Sequence, residues 1–128
     1  MQERENEIYG ESFQVRFMRE QRRHYPRYPW RALVAFVIEG APPPAGGRAE
    51  GRDISLGGLG LSAPDDGVPP VGARLRLRLT VEGLDVPVVL EGEVTHADPR
   101  HGFGVRFPPL APEPRKHLKR ILMRAMSN

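Results

Sequence analysis

Two short stretches hold side chains whose chemistry goes beyond packing. RRHYPR, residues 22–27, brings Arg22, Arg23 and Arg27 together with His24 just before the chain turns apolar at Trp30. Guanidinium forks suit phosphate oxygens and the O6/N7 edge of guanine, which a bidentate pair discriminates by roughly 1–3 kcal/mol. Pro26 biases Tyr25 away from helix, so the arginines lie on an extended loop able to wrap a ligand rather than on a helical face. Further along, GRDISLGGLG supplies Asp53 and Ser55, with Gly57 and Gly58 behind them. A carboxylate is a natural acceptor for the paired N1 and N2 hydrogens of guanine, and a hydroxyl gives or takes one bond beside it. The glycines let the backbone turn and a flat ligand come close.

Each stretch alone has an ordinary explanation. A basic cluster beside a domain is most often a solvated linker, and an Asp/Ser/Gly run is a common hairpin turn. Their joint occurrence is what shifts the balance. Strand alternation from Asp53 predicts that its carboxylate and the Ser55 hydroxyl share an outer surface, with Ile54 pointing into a core.

The elements that must position these residues follow from composition and pattern. The chain has 128 residues, enough for one domain and one core. Fourteen glycines and fourteen prolines favour turns and short strands over long helices. The formal net charge is only +3 although the pI is about 9.8, so local clusters matter more than a basic coat, pointing to a small anionic ligand or an acidic partner patch. Cysteine is absent, which excludes disulfides, thiolate metal sites and cysteine nucleophiles and is compatible with a reducing compartment. The charged start MQERENEIYG lacks a secretory pattern and no run is long enough to span a membrane, so the expected location is the cytoplasm, without membrane association.

Residues 1–21 mix Glu and Arg around sparse apolar positions and read as an N-terminal arm; residues 22–128 hold the domain, divided into a binding loop (22–30), a barrel (31–108) and a terminal helix (111–126). RALVAFVIEG is apolar on both alternating faces and predicts a strand covered on both sides. APPPAGG reads as a loop, RAEGRDIS as a short strand, GGLG as a corner and LGLSA as another strand. ARLRLRLTVE alternates strictly, with Leu75, Leu77, Leu79 and Val81 opposite Arg74, Arg76, Arg78 and Thr80. VPVVLEGEVTH places Leu90 and Val94 inward, with Glu91 and Glu93 available as cross-strand partners for the arginine stripe. GFGVRF turns Phe103, Val105 and Phe107 inward and Arg106 outward. About six short antiparallel strands suggest a closed or nearly closed barrel. Leu118, Ile121, Leu122 and Ala125 fall at helical spacing, with Pro112 or Pro114 suited to the first turn.

At this point the sequence resembles the PilZ domain family. Arg23 to Arg27 match its RxxxR motif, Asp53, Ser55 and Gly58 match its DxSxxG motif, and GFGVRF is similar to its closing strand; the likeness extends over about residues 22–126. The resemblance implies a mainly β fold, a six-stranded antiparallel barrel with a C-terminal helix. It implies a receptor or adaptor for cyclic di-GMP that changes conformation on binding to signal to a protein effector, with no cofactor. Arg23 and Arg27 would grip phosphate and a guanine Hoogsteen edge, Asp53 and Ser55 would take the donor edge, Gly58 would give clearance and Gly57 belongs to the same turn. Arg22 resembles family members that hold two mutually intercalated ligand molecules, implying a ligand dimer. His96 stands where a number of the family carry an aromatic residue near the ligand, yet strict alternation turns it inward with Val94. Arg106 is the other candidate, against a reading as a solvated strand cation.

Other classes are weaker. Ser55, His96, His101 and Asp53 contain the letters of a triad without a nucleophile elbow, so an enzyme is not expected. The four histidines, His24, His96, His101 and His117, lack metal-ligand spacing. The modest charge and few exposed aromatics argue against nucleic-acid polymers. The principal alternative is a PilZ-like interaction module that does not bind the dinucleotide. Monomer and homodimer are both compatible with the sequence.

Overall fold

The computed structural model describes residues 26–42 and 45–127. Its organising strand is β5 (Arg74–Thr80), where Leu75, Leu77 and Leu79 are fully buried and the intervening arginines are exposed. This is the alternation of a sheet with one dry and one wet face. It is flanked by β2 (Leu33–Ile38) and β6 (Val88–Asp98). The remaining strands are β1 (Tyr28–Pro29), β3 (Gly46–Ile54), β4 (Gly58–Leu61) and β7 (Gly102–Arg106). Pairing runs β3-β2-β5-β6-β7-β4, all antiparallel, and β4 returns to β3. The expected six-stranded barrel is therefore closed, which leaves its strands without free edges. The two-residue β1 is an additional strand on the far end of β3.

Inward side chains from every barrel strand, including Val34, Phe36, Ile54, Leu59, Leu61, Leu77, Leu90, Val94, Phe103 and Val105, form one core. Phe36 and Phe103 meet edge to face with centroids 5.4 Å apart. The helix α1 (Pro112–Ser127) adds Leu118, Ile121, Leu122 and Ala125 to the same cluster and packs against β6 and β1. Its first residue is Pro112, whose missing N–H costs nothing there. Arg124 Nη1 donates to the Glu82 carbonyl at 2.5 Å, tying the last turns of α1 to the β5–β6 loop. No described helix is long and apolar enough to cross a membrane.

Several local expectations are corrected. The outer face of β2 is uncovered among the described residues: Leu33 and Val37 are exposed while only Val34 and Phe36 are buried. An apolar residue on both faces is thus not evidence of two covering layers. β3 begins at Gly46, inside the expected APPPAGG loop, because Gly46 pairs with Val37. β4 begins at Gly58, inside the expected glycine corner.

The cross-strand pairing of acids with the arginine stripe is present. Arg74 and Arg76 stand opposite Glu93 and Glu91 in the register, and Arg76 lies 3.9 Å from Glu91. Both partners of that contact are well exposed, so it contributes little to stability.

Truncating a buried β5 leucine, Leu77→Ala, should lower unfolding free energy by about 2–5 kcal/mol, whereas Leu33→Ala on the outer face should cost less than about 1 kcal/mol. Urea denaturation of the two variants measures the difference, and equal losses would contradict the assignment of inner and outer faces.

Candidate functional site

The end of the arginine loop is stitched directly to the strand that carries Asp53. β1 pairs Tyr28 with Ile54 and Pro29 with Asp53, and Trp30 N donates to the Arg52 carbonyl at 3.0 Å. The buried Trp30 ring fixes this approach by lying against Gly51, where a Cβ would collide with the indole. The loop that the sequence suggested over 22–30 thus ends in a short strand. As a result, Arg27 Nη1 donates to Asp53 Oδ1 at 2.5 Å, across 26 positions of sequence. Their side chains are 49% and 35% exposed, so in solvent the pair is worth no more than about 1 kcal/mol. Its consequence is positional, since it sets one residue of each motif against the other. Arg22 and Arg23, and the arm before them, lie outside the described residues.

Asp53 is central to an outward row that crosses four strands. The register aligns Asp53 with Gly60, Gly60 with Gly104, and Gly104 with His96. A Cβ on Gly60 would sit 2.9 Å from Asp53 Oδ1, and one on Gly104 would run into the His96 imidazole. Two glycines therefore form a side-chain-free floor with a carboxylate leaning over one end and an imidazole lying over the other. Adjacent strands lie about 4.8 Å apart, so the row spans roughly 14 Å. The absence of a Cβ at both positions lets the Asp53 carboxylate and the His96 imidazole lie close against the sheet.

His96 faces outward, against the inward placement that strict alternation gave it. The register between β6 and β7 shifts between Val94 and His96, and this bulge leaves both Thr95 and His96 exposed. An extra residue in one strand reverses the alternation beyond it, which is why period-two counting from Val94 fails.

Ser55 also departs from expectation. β3 ends at Ile54, and Ser55 is fully buried rather than beside Asp53 on the outer surface. Its Oγ donates to the Gly58 carbonyl at 3.3 Å and accepts from Gly57 N at 3.2 Å. Ser55 N also donates to the Gly58 carbonyl, at 2.9 Å, closing the turn between β3 and β4. Gly57 contributes its carbonyl, which accepts from Phe107 N at 2.8 Å and anchors the turn to the end of β7. The buried hydroxyl is engaged with backbone as both donor and acceptor, and so holds the loop.

The expected clearance at Gly58 is likewise reassigned. Gly58 is buried, and a Cβ there would meet the Val105 carbonyl of the neighbouring strand. It permits close backbone approach within the barrel. The glycines of the outer surface are Gly60 and Gly104, over which the Asp53 carboxylate and the His96 ring lie and which sequence reasoning did not single out. The signal was available: Gly60 and Gly104 each sit on the outward phase of a strand whose alternate residues are large and apolar.

Arg106 is outward as expected and pairs in register with Gly58 and Glu93, its Nη2 lying 3.2 Å from Glu93 Oε1. It borders a groove of about 310 Å³ lined also by Glu39, Arg74, Glu91 and Glu93. Three carboxylates make that groove a poor seat for an anion.

Arg52 Nη1 donates to the His101 carbonyl at 2.6 Å, joining β3 beside Asp53 to the β6–β7 turn. Asp98 in that turn is held below the usual carboxylate range, chiefly by the side-chain bond to His101 and then by the Arg100 amide. The contact is therefore complete above the unfolded carboxylate pKa and lost as pH falls through the lowered folded value. Among the described residues no group of three or more acidic or histidine side chains is placed to hold a metal ion.

Comparison with known proteins gives the family and the fold. A sequence profile of the PilZ domain matches residues 21–124. The chain belongs to the PilZ domain family. Three solved structures share its fold. The PilZ domain of CeSA from a cellulose-synthesizing bacterium is 14% identical, with a TM-score of 0.62, and the match covers 80% of this chain and 99% of that one. The PilZ domain of YcgR from Escherichia coli, solved with c-di-GMP, is 17% identical with a TM-score of 0.63 over 84% and 93% of the two chains. The Bacillus subtilis inhibitor of motility, MotI/DgrA, is 22% identical with a TM-score of 0.63, covering 84% of this PilZ domain and 53% of that protein. No curated protein matches the sequence.

The two glycines of this PilZ domain make opposite predictions. Gly58→Ala should destabilise the fold by about 1–3 kcal/mol, because a backbone carbonyl has to move. Gly60→Ala meets only the mobile end of Asp53 and should cost less than about 1 kcal/mol. Thermal unfolding of both variants reads the contrast, and a large loss at Gly60 would show that its role is in packing.

Proposed function

We propose that this PilZ domain is a receptor for cyclic di-GMP that passes ligand occupancy to a protein partner. The observation that carries the reading is the Arg27–Asp53 contact, which unites the RxxxR and DxSxxG motifs on one outer face. Family membership supports the same ligand class, as does a neighbouring fold solved with c-di-GMP.

In this reading residues 22–30 form a clamp. Arg23 and Arg27 hold phosphate oxygens and a guanine O6/N7 edge, while Asp53 accepts from guanine N1 and N2. Ser55 and Gly57 hold the turn that presents Asp53. With no side chain on Gly60 or Gly104, a flat base reaches the sheet once the Asp53 carboxylate and the His96 ring swing off them, and His96 then stacks on it. Arg22 supplies a further cation for a second, intercalated ligand molecule, and Arg106 is recruited from Glu93 to the outer phosphate. Ligand binding exchanges the solvent-exposed Arg27–Asp53 contact for charge-assisted bonds to the dinucleotide, closing the loop and changing the surface offered to a partner.

Charge-assisted hydrogen bonds are worth roughly 1.5–3 kcal/mol each, so Arg27→Ala and Asp53→Ala should each weaken binding by at least about tenfold in calorimetric titration with cyclic di-GMP. Wild-type affinity in both variants would refute the site, and absence of binding by the unmodified protein would favour an interaction module. In the same titration two ligands per chain are expected, reduced to one by Arg22→Ala; one ligand per unmodified chain refutes the role of Arg22.

A further inference from the structure

The outward face of α1 is unlike the rest of the surface. Lys116, Lys119 and Arg120 surround Met123 on the side opposite Leu118 and Ile121, and Met123 and Met126 are 67% and 58% exposed. Among the described residues none of these three cations has an ion-pair partner. The face is therefore a cationic rim around an apolar centre, the composition of a surface that docks an acidic segment with apolar side chains.

The same chain contains such a segment. Residues 1–11 carry Glu3, Glu5, Glu7 and Glu11 against a single Arg4, with Ile8 and Tyr9 among them. The topology also supports this. α1 packs against β1, which begins at Tyr28, so the described chain starts beside the helix. The intervening tether of about 14 residues spans up to roughly 45 Å when extended, whereas the 16-residue helix is only about 24 Å long. Every turn of α1 is within reach, and the short tether gives the segment an effective concentration that a free partner would match only in the millimolar range.

We propose that residues 3–11 dock on the outward face of α1, their glutamates meeting Lys116, Lys119 and Arg120 and Ile8 and Tyr9 covering Met123 and Met126. A membrane surface fits this face less well, because interfacial helices present Trp, Phe or Leu where α1 has methionine. The docked arm occupies a strongly basic helical face, so a partner with an acidic, apolar surface competes with the chain's own N-terminus for it. This inference does not depend on the dinucleotide reading.

The absence of native cysteine allows a direct test. Asn6→Cys carrying a nitroxide spin label, in the full chain with isotopic enrichment, should broaden the amide signals of Arg120 and Met123. Broadening should disappear in the triple variant Lys116→Glu, Lys119→Glu, Arg120→Glu, whose exposed positions leave the fold intact by circular dichroism, and in about 1 M salt, where the screening length is about 3 Å. Adding lysines at Glu3, Glu5, Glu7 and Glu11 to that triple variant should restore it. Absence of broadening on α1, or broadening confined to β2 with its exposed Leu33 and Val37, overturns the proposal. Broadening that survives only between labelled and separately enriched chains overturns it in favour of docking between copies. An unbroadened helix whose signals vanish on adding phosphatidylserine vesicles assigns the face to membranes instead.

Discussion

The contact between Arg27 and Asp53 depends on a pairing of only two residues, β1 with the end of β3, held by the burial of Trp30 over Gly51. As an ion pair in solvent it does little for stability. Its importance is geometric. The barrel supplies an outer surface bearing Asp53, and β1 brings Arg27 to that surface with its register already set. A loop attached by side chains alone would pay a larger ordering entropy on closing over a ligand, because nothing would limit where its arginines begin.

Glycine allocates space on this barrel in two distinct ways. Gly51 and Gly58 admit a tryptophan ring and a neighbouring carbonyl, so their smallness serves packing. Gly60 and Gly104 face outward in a patch that the Asp53 carboxylate and the His96 imidazole lean over. The same residue type two positions apart in one strand thus performs opposite tasks. What separates them is what the missing Cβ would meet, a backbone carbonyl of the neighbouring strand at Gly58 and the end of a side chain at Gly60. The β6 bulge completes the patch by turning His96 to the same face.

Much of the barrel was legible because burial on one face imposes period-two alternation on every strand, as Leu75, Leu77 and Leu79 show. The helix was legible because its four buried residues repeat at i, i+3, i+4 and i+7. Legibility ended where the period breaks. A register shift carried His96 to the opposite face, and the termination of β3 one residue early took Ser55 from the surface into a turn. β2 shows the converse failure. Its apolar outer residues suggested a second covering layer, but hydrophobicity records only that burial is tolerated.

By itself the chain determined the residue types of the two motifs, their order, the family and the alternating elements of a closed barrel, since these follow from side-chain chemistry and local periodicity. Tertiary structure decided which motif residues meet. That Arg27 reaches Asp53, that Ser55 serves the turn, and that Gly60, Gly104 and His96 share a row with Asp53 all depend on cross-strand register. Register is a relation between distant segments, and local pattern constrains it only to within the steps that keep the core face buried.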